Sequence, residues 1–313
     1  MNFRSFKEKY QKTEVEHFAH NVTSTPLVSV MVQTYNHEAY IAECLDGILN
    51  QQTEFAFEIL LGEDVSTDKT RKICIDYALR VPEKIRLFLH HTSNKIKVMG
   101  IPTGNFNAFY NYYQAQGEFI AFCEGDDYWN DPLKLQKQVD FLKKNTGFVL
   151  SYHRFVEQYE TASKKKKQIP LEQPAKDLNQ KELSELIYHP LLSTVCFRKC
   201  LSELPEEMLQ VINVDSFLLS LLGNYGEARY LWNINPSFYN RHSGGIWTEN
   251  KKELSFFSKL HTYKNLITYY RSKGKNKTAR VLQGKRKKII NQLFFYYLSK
   301  RKFKSVIKFL MSS

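Results

Sequence analysis

The stretch Glu118–Trp129, with the sequence EFIAFCEGDDYW, decides the fold class of this chain. Its apolar run Phe119–Cys123 has the length and the β-rich composition of a buried strand. Three carboxylates set around a glycine follow directly, namely Glu124, Asp126 and Asp127. Because crowded carboxylates at the end of a buried strand repel one another and lose hydration, they favour a bound cation. Oxygen ligands favour Mg²⁺ or Mn²⁺, ions that are usually shared with a phosphorylated substrate.

A helix N-terminus is the alternative interpretation of the same carboxylates. Asn130, Asp131 and Pro132 follow the cluster and open a helical pattern. The acidic cluster alone leaves both interpretations open, and the residues upstream have to decide between them.

Strands and helices alternate along the chain on both sides of this cluster. The predicted strands are 27–33, 57–62, 85–89 and 119–123, and the predicted helices are 38–51, 69–80, 105–116 and 132–144. This alternation predicts an α/β fold with right-handed βαβ units, in which helices flank a mostly parallel, Rossmann-like sheet. Ligands bind such sheets beyond the carboxyl ends of the strands.

Polar motifs stand at three of these predicted carboxyl ends. They are residues 34–36 (TYN), 63–66 (EDVS) and 124–127 (EGDD). One such motif has a plain structural explanation, but three at the same edge of a sheet indicate a ligand site.

In order and spacing these motifs resemble family 2 glycosyltransferases of the nucleotide-sugar-binding A-type fold. The similar segments are Val28–Asn36 (VSVMVQTYN), Glu58–Thr70 (EILLGEDVSTDKT) and Phe122–Trp129 (FCEGDDYW), and the resemblance extends over residues 26–250. It implies an A-type glycosyltransferase fold. It also implies a hexosyl- or N-acetylhexosaminyl-transferase that moves a sugar, with inversion, from a UDP-sugar to a saccharide or lipid-linked saccharide acceptor.

The resemblance assigns residues to the nucleotide-sugar donor. Thr34, Tyr35 and Asn36 lie where the family's first loop surrounds the base and ribose, and Glu38 is a further candidate there. Asp64 matches the acid that accepts a hydrogen bond from the base, usually from N3–H of uracil. The alternatives are a core position for Tyr35, a solvated first-turn position for Glu38 and helix capping for Asp64.

The resemblance also implies a divalent cofactor, Mn²⁺ or Mg²⁺. Asp126 matches the principal metal ligand, which also faces the donor, and Asp127 matches its neighbour. Glu124 replaces the family's first aspartate and is expected at the ribose or at a water of the metal shell. His242, within Tyr239–Trp247 (YNRHSGGIW), matches a late histidine that binds the metal or the diphosphate. An isolated surface or core histidine is the alternative for His242.

Asp215, within Asn213–Leu219 (NVDSFLL), resembles the family's catalytic base. An acceptor hydroxyl that attacks the anomeric carbon loses a proton as the bond forms, and a carboxylate within hydrogen-bond reach accepts it. Because Asp is also a good helix N-cap, capping is the alternative for Asp215.

The charge of the chain divides it into two parts. The net charge is +13, yet residues 254–313 hold 16 Lys and Arg and no Asp or Glu. Basic clusters such as 285–288 beside the aromatic run 294–297 favour contact with an anionic membrane surface. Packing of these helices on the core domain is the alternative, and we expect no nucleic acid partner.

Three segments are predicted. They are an N-terminal arm (1–25), a glycosyltransferase domain (26–250) with a nucleotide-sugar half (26–130) and an acceptor half (131–250), and a basic aromatic helical extension (251–313). No apolar run approaches the ~18 residues of a membrane span, and the N-terminal residues do not read as a signal peptide. Five cysteines without a CxxC pair indicate reduced thiols.

These features predict a cytoplasmic protein, or one peripheral to the inner face of the cytoplasmic membrane. The resemblance implies a role in bacterial capsule or lipopolysaccharide synthesis. Two other functions stay open. A nucleotidyltransferase would normally show a basic glycine-rich phosphate loop near the first strand, and the sequence has none. A polysaccharide- or membrane-binding module with a degenerate site is the second.

Overall fold

The computed structural model describes residues 1–23, 25–159, 166–168, 175–242 and 252–300, with the backbone alone for 166–168. The chain forms two compact units. Among the described residues, the first comprises those of 1–204 and 219–242, and the second comprises those of 205–218 and 252–300.

The described residues form helices and strands in alternation. The strands are β1 Glu16–His17, β2 Val28–Thr34, β3 Phe57–Glu63, β4 Ile85–Leu89, β5 Lys97–Val98, β6 Ile101–Pro102, β7 Phe119–Phe122, β8 Phe148–Tyr152, β9 Phe155–Tyr159, β10 Lys166–Gln168, β11 Cys196–Arg198, β12 Glu227–Tyr230 and β13 Ser237–Arg241. The helices are α1 Phe3–Tyr10, α2 Ile41–Leu49, α3 Thr70–Arg80, α4 Asn105–Gln114, α5 Lys134–Lys144, α6 Gln180–Ser184, α7 Glu206–Leu209, α8 Val214–Leu222, α9 Lys252–Ser272 and α10 Asn276–Ser299.

The first unit is built on an eight-stranded sheet with the order β1-β4-β3-β2-β7-β11-β8-β12. Strands β4, β3, β2 and β7 are parallel neighbours, whereas β11 is antiparallel to both β7 and β8. A smaller sheet has the order β10-β9-β13. The predicted α/β fold with a mostly parallel central sheet is confirmed.

The central strands are buried on both faces, as their largely apolar sequences predict. One face of β2 and β3 packs with residues of α2, α3 and α5 in a single core cluster. Helix α4 covers the other face, where Asn111 Nδ2 donates to the carbonyl oxygens of Val32 (3.4 Å) and Leu60 (3.3 Å). A Cβ atom at Gly62 would lie 1.9 Å from Asn107 Oδ1, so only glycine permits this close approach of α4.

The predicted N-terminal arm is part of the first unit. Helix α1 buries Phe6 completely, with ring centroids 5.1 Å from Phe106 and 6.1 Å from Phe109 of α4. Strand β1 pairs antiparallel with β4 and extends the sheet. The sequence analysis took this segment for an arm because its composition is polar, and the packing of its aromatic side chains was not predicted.

The second unit contains a helical hairpin. Helices α9 and α10 run antiparallel around Leu260, Leu293 and Tyr297, and Gly274, with φ of 70°, lies in the turn between them. This unit also takes in Pro205–Leu218, a segment that the sequence prediction had placed in the acceptor half. Within the described ranges, none of the helices is both long and apolar enough to cross a bilayer.

Candidate functional site

The carboxyl end of β2 joins two of the polar motifs. The backbone N–H of Asp64 donates to the Thr34 carbonyl oxygen (3.0 Å), and the N–H of Gly125 donates to the Gln33 carbonyl oxygen (2.9 Å). The loops that follow β3 and β7 therefore lie on either side of the end of β2. The structure brings together the three motifs that the sequence analysis expected at one edge.

Two hydrogen bonds join the loop after β2 to the loop after β3. The N–H of Asn36 donates to Ser66 Oγ (3.0 Å), and Asn36 Oδ1 accepts the N–H of Thr67 (2.8 Å). Asn36 and Val65 have φ angles of 56° and 63°. A β-branched residue in this region stores strain on the order of 1–3 kcal/mol. The side chain of Asn36 thus holds the two loops together.

Lys95 and Tyr35 form a charged pocket with Asp64. Its carboxylate Oδ2 is 3.1 Å from Lys95 Nζ, and that ammonium lies 4.0 Å from the centroid of the Tyr35 ring. Burial raises the pKa of Asp64 to about 6, although the charge of Lys95 opposes the rise. Tyr35 is 44% exposed, so it is a surface ring and not a core residue. Thr34, in contrast, is buried.

Lys95 and Glu63 are site residues that sequence reasoning missed. Lys95 lies in the loop after β4, where no periodicity or motif marks it, and only the strand order brings it to Asp64. Glu63 is completely buried. It accepts hydrogen bonds from the N–H of Ser66 and from Nε of Arg71. These bonds stabilise the strained turn at Val65.

Glu38 is engaged with the start of α3. Its N–H donates to Asp68 Oδ2 (3.1 Å), and its Oε2 accepts the N–H of Lys69 (2.9 Å). Asp68 Oδ1 accepts the N–H of Thr70, the first residue of α3. Although burial favours a higher value, these hydrogen bonds hold the pKa of Asp68 below its usual range. Glu38 is exposed, and its assignment to the nucleotide stays a prediction.

Asp127 faces the smaller sheet. It is 2% exposed, and its Oδ1 accepts the N–H of Asn240 on β13 (3.2 Å). Burial, together with repulsion from Asp126 and Glu124, raises the pKa of Asp127 well above its usual range. Asn240 Nδ2 also donates to the Asp126 carbonyl oxygen (2.6 Å), which fastens β13 to the acidic loop. Glu124 is exposed.

Asp126 meets two histidines. Its Oδ2 lies 3.1 Å from Nε2 of His242 and 3.7 Å from Nε2 of His37. Burial favours a higher pKa, but the hydrogen bond from His242 and the charge of His37 hold the pKa of Asp126 below its usual value. The other oxygen, Oδ1, is buried and has no hydrogen-bond partner among the described residues. Burial lowers the pKa of His37, which favours the neutral imidazole that binds metals.

Three side chains at this point could hold a metal ion. His37, Asp126 and His242 each offer one ligand atom, and these atoms lie within 4.8 Å of one another. Two of the three predicted ligands are therefore brought together, and the structure does not bring Asp127 into this group. His37 was missed, although it directly follows the TYN motif. Residues 243–247, the rest of the late histidine motif, lie outside the described residues.

Gly125 is required where the three motifs meet. A Cβ atom at this position would lie 2.7 Å from Thr34 Oγ1 and 2.9 Å from His37 Nδ1, closer than real Cβ atoms come. The glycine between the carboxylates therefore lets the acidic loop lie against the end of β2.

Asp215 lies in the first turn of α8, in the second unit, and is partly exposed. The helix begins one residue earlier, at Val214, and the carbonyl oxygen of Asn213 accepts the N–H of Phe217. Asp215 is thus inside the helix and not at its cap position. Its role as the base stays a prediction.

The chain resembles known proteins in sequence and in fold. Residues 29–200, more than half of the chain, match the sequence profile of Glycosyl transferase family 2. The chain belongs to this family. An uncharacterized protein of Mycobacterium tuberculosis is 34% identical over 221 residues, which cover 70% of this chain and 60% of that protein. TuaG of Bacillus subtilis, named as a putative teichuronic acid biosynthesis glycosyltransferase, is 32% identical over 122 residues, or 39% of this chain and 44% of that protein.

The chain thus spans less than two thirds of the length of either relative.

Solved structures resemble its fold. Staphylococcus aureus TarS 1–349 in complex with UDP-GlcNAc matches with a TM-score of 0.50 and 19% identity, over 78% of this chain and 72% of that chain. The same TarS fragment without a named ligand matches with a TM-score of 0.51 and 15% identity, over 83% and 91% of the two chains. The predicted family and the A-type fold are confirmed.

Proposed function

We propose that this family 2 member transfers a sugar, with inversion at the anomeric carbon, from a UDP-sugar to a saccharide or lipid-linked saccharide acceptor. The observation that carries the proposal is the arrangement at the end of β2. The loop of Asp64 is bonded to one side of it, and the loop of Asp126 to the other. A base site and a diphosphate site at adjacent strand ends are what a nucleotide-sugar needs.

The pocket of Asp64 would bind the base. A largely buried carboxylate accepts the N3–H of uracil, and the ammonium of Lys95 can donate to a neighbouring carbonyl oxygen of the base. The exposed ring of Tyr35 offers a face for stacking beside them. Thr34 and Asn36 shape this pocket, and Glu124 remains the candidate for the ribose.

The group around Asp126 fits a divalent ion, Mn²⁺ or Mg²⁺. Asp126 Oδ1 is a buried acceptor without a partner among the described residues, and His37 and His242 lie beside it with ligand atoms in range. When bound, the ion neutralises charge that grows on the leaving nucleoside diphosphate. This chain has no GxxxxGK loop that would do so instead. Asp127 would hold the loop to β13 through its bond with Asn240.

Asp215 would take the proton of the acceptor hydroxyl as direct displacement proceeds. The acceptor belongs to bacterial surface-polysaccharide synthesis, a proposal that the name of TuaG supports. UDP-GlcNAc, the ligand of one of the similar TarS structures, is the first donor to test. We further propose a cytoplasmic enzyme that contacts the inner face of the membrane through its basic helices.

A panel of nucleotide sugars, incubated with the full chain, Mn²⁺ and short lipid-linked saccharides, tests the proposal. We expect release of UDP from one donor and a glycosylated product. Asp215→Asn should lower turnover by about a hundredfold or more with unchanged UDP binding. The exposed Asp76→Asn is the matched control.

Release of pyrophosphate from a nucleoside triphosphate would instead indicate a nucleotidyltransferase. Binding of a UDP-sugar without turnover would indicate a non-catalytic module. Normal turnover in Asp215→Asn would remove that residue from the mechanism.

A further inference from the structure

The ligand atoms around Asp126 come from three separate loops. His37 follows β2, Asp126 follows β7, and His242 follows β13. Each loop is fixed independently of any ion. The N–H of His37 donates to Thr70 Oγ1 (2.8 Å), and Asn240 ties β13 to the acidic loop through two hydrogen bonds.

The ring of His37 is oriented toward Asp126. Its Nδ1 lies 3.3 Å from the hydroxyl of Thr34, which leaves Nε2 on the side of the Asp126 carboxylate, 3.7 Å from Oδ2. Hydrogen bonding of one ring nitrogen commonly fixes the other as a metal ligand. Gly125 permits this arrangement, since a side chain there would meet both His37 and Thr34.

We propose that His37 is a metal ligand, so that two imidazole nitrogens and one carboxylate oxygen hold the ion and select Mn²⁺ or another transition ion over Mg²⁺. The inference rests on the proposed function, since the ion would serve the donor's diphosphate. Mg²⁺ prefers oxygen ligands in a near-ideal octahedron, whereas imidazole suits transition ions. A donor set with two nitrogens therefore disfavours Mg²⁺. The alternative is that the histidines only position Asp126 through hydrogen bonds.

Titration calorimetry with Mn²⁺, Co²⁺ and Mg²⁺, each added alone to the metal-free full chain, separates these two roles. The wild type should bind Mn²⁺ at least about tenfold more tightly than Mg²⁺, and Co²⁺ should give a visible absorption band that reports nitrogen ligands. His37→Ala should weaken Mn²⁺ binding by about tenfold or more and change Mg²⁺ binding much less. His20→Ala, which removes an exposed histidine of the same unit, is the matched control.

A second variant tests ligation directly. His37→Asp replaces a nitrogen ligand with an oxygen ligand, so the preference for Mn²⁺ over Mg²⁺ should shrink toward equal affinity. A positioning role alone would not change the preference in this direction. Thermal unfolding followed by circular dichroism verifies that each variant is folded.

Three results would overturn the inference: wild-type protein that binds neither ion, equal wild-type affinities for Mn²⁺ and Mg²⁺, or unchanged Mn²⁺ affinity in His37→Ala. UDP binding is measured separately at saturating Mn²⁺. Loss of UDP binding with an intact ion preference would contradict the proposed function and leave the ligand assignment of His37 standing.

Discussion

Asp64 and Asp126 lie at one edge of the sheet, and their surroundings move their pKa values in opposite directions. Burial raises the pKa of Asp64 to about 6, with Lys95 opposing the rise. Burial also acts on Asp126, but His242 and His37 outweigh it and hold its pKa below the usual value. Asp126 is therefore an anion over the whole neutral range. Asp64 is half protonated near pH 6 and gains its charge above it.

The raised pKa of Asp64 predicts how UDP binding depends on pH. Protonation of Asp64 removes the charged oxygen that would accept a hydrogen bond from the base. UDP affinity should therefore fall as the pH falls through about 6. Lys95→Met removes the charge that opposes burial, so the midpoint should move to higher pH. Calorimetry between pH 5 and 8 measures it, with the exposed Lys97→Met as control. An unchanged midpoint in Lys95→Met would contradict this account of the pocket.

At the residue scale, sequence reasoning found the side chains that directly follow strands. Asp64 and Asp126 stand at strand ends within motifs that resemble those of the family, so the strand pattern and the resemblance together pointed to them. Lys95 and His37 could not be assigned in this way. Lys95 reaches Asp64 from a loop after a neighbouring strand, and His37 turns toward Asp126 only because Gly125 lets the two loops touch.

At the scale of elements, prediction succeeded where strands are buried on both faces. Strands β2, β3, β4 and β7 are rich in apolar and β-branched residues, and their predicted bounds differ from the structure by one residue or none. Farther along, the chain divides at 153–154 into β8 and β9, which belong to different sheets. No turn residue marks that division. Strand β11 has three residues, too few to show a period.

We predict contact with a membrane through helix α10. Lys287, Lys288, Phe295 and Leu298 are all exposed and recur at helical spacing on one face, which suits an anionic membrane surface. Vesicles containing phosphatidylserine should bind the full chain in a salt-sensitive manner. The double variant Lys287→Gln/Lys288→Gln should weaken binding by more than about tenfold, since each lysine near such a surface contributes ~1 kcal/mol.

The matched control removes two other exposed lysines, Lys143→Gln and Lys144→Gln, from the end of α5. Equal vesicle binding by the two double variants would show that α10 has no special part in membrane contact. Binding to neutral phosphatidylcholine vesicles with the same affinity would contradict the electrostatic argument.

At the scale of the whole molecule, charge and fold divide the chain in similar places. All acidic residues lie at or before Glu253, and the hairpin of α9 and α10 lies in the second unit. The compact units do not follow the segments of the sequence prediction residue by residue. The N-terminal arm packs through Phe6 into the first unit, and Pro205–Leu218 joins the second. Such long-range packing leaves no periodic signal in the sequence.

We propose that the loops at the end of β2 form a metal-assisted nucleotide-sugar site. Titration of UDP into wild type, Asp126→Asn and the control Asp76→Asn, with and without Mn²⁺, tests it most directly. Mn²⁺ should strengthen UDP binding by about tenfold or more in the wild type and the control, because the ion offsets the diphosphate charge. It should have almost no effect in Asp126→Asn. An undiminished Mn²⁺ effect in Asp126→Asn would contradict the claim.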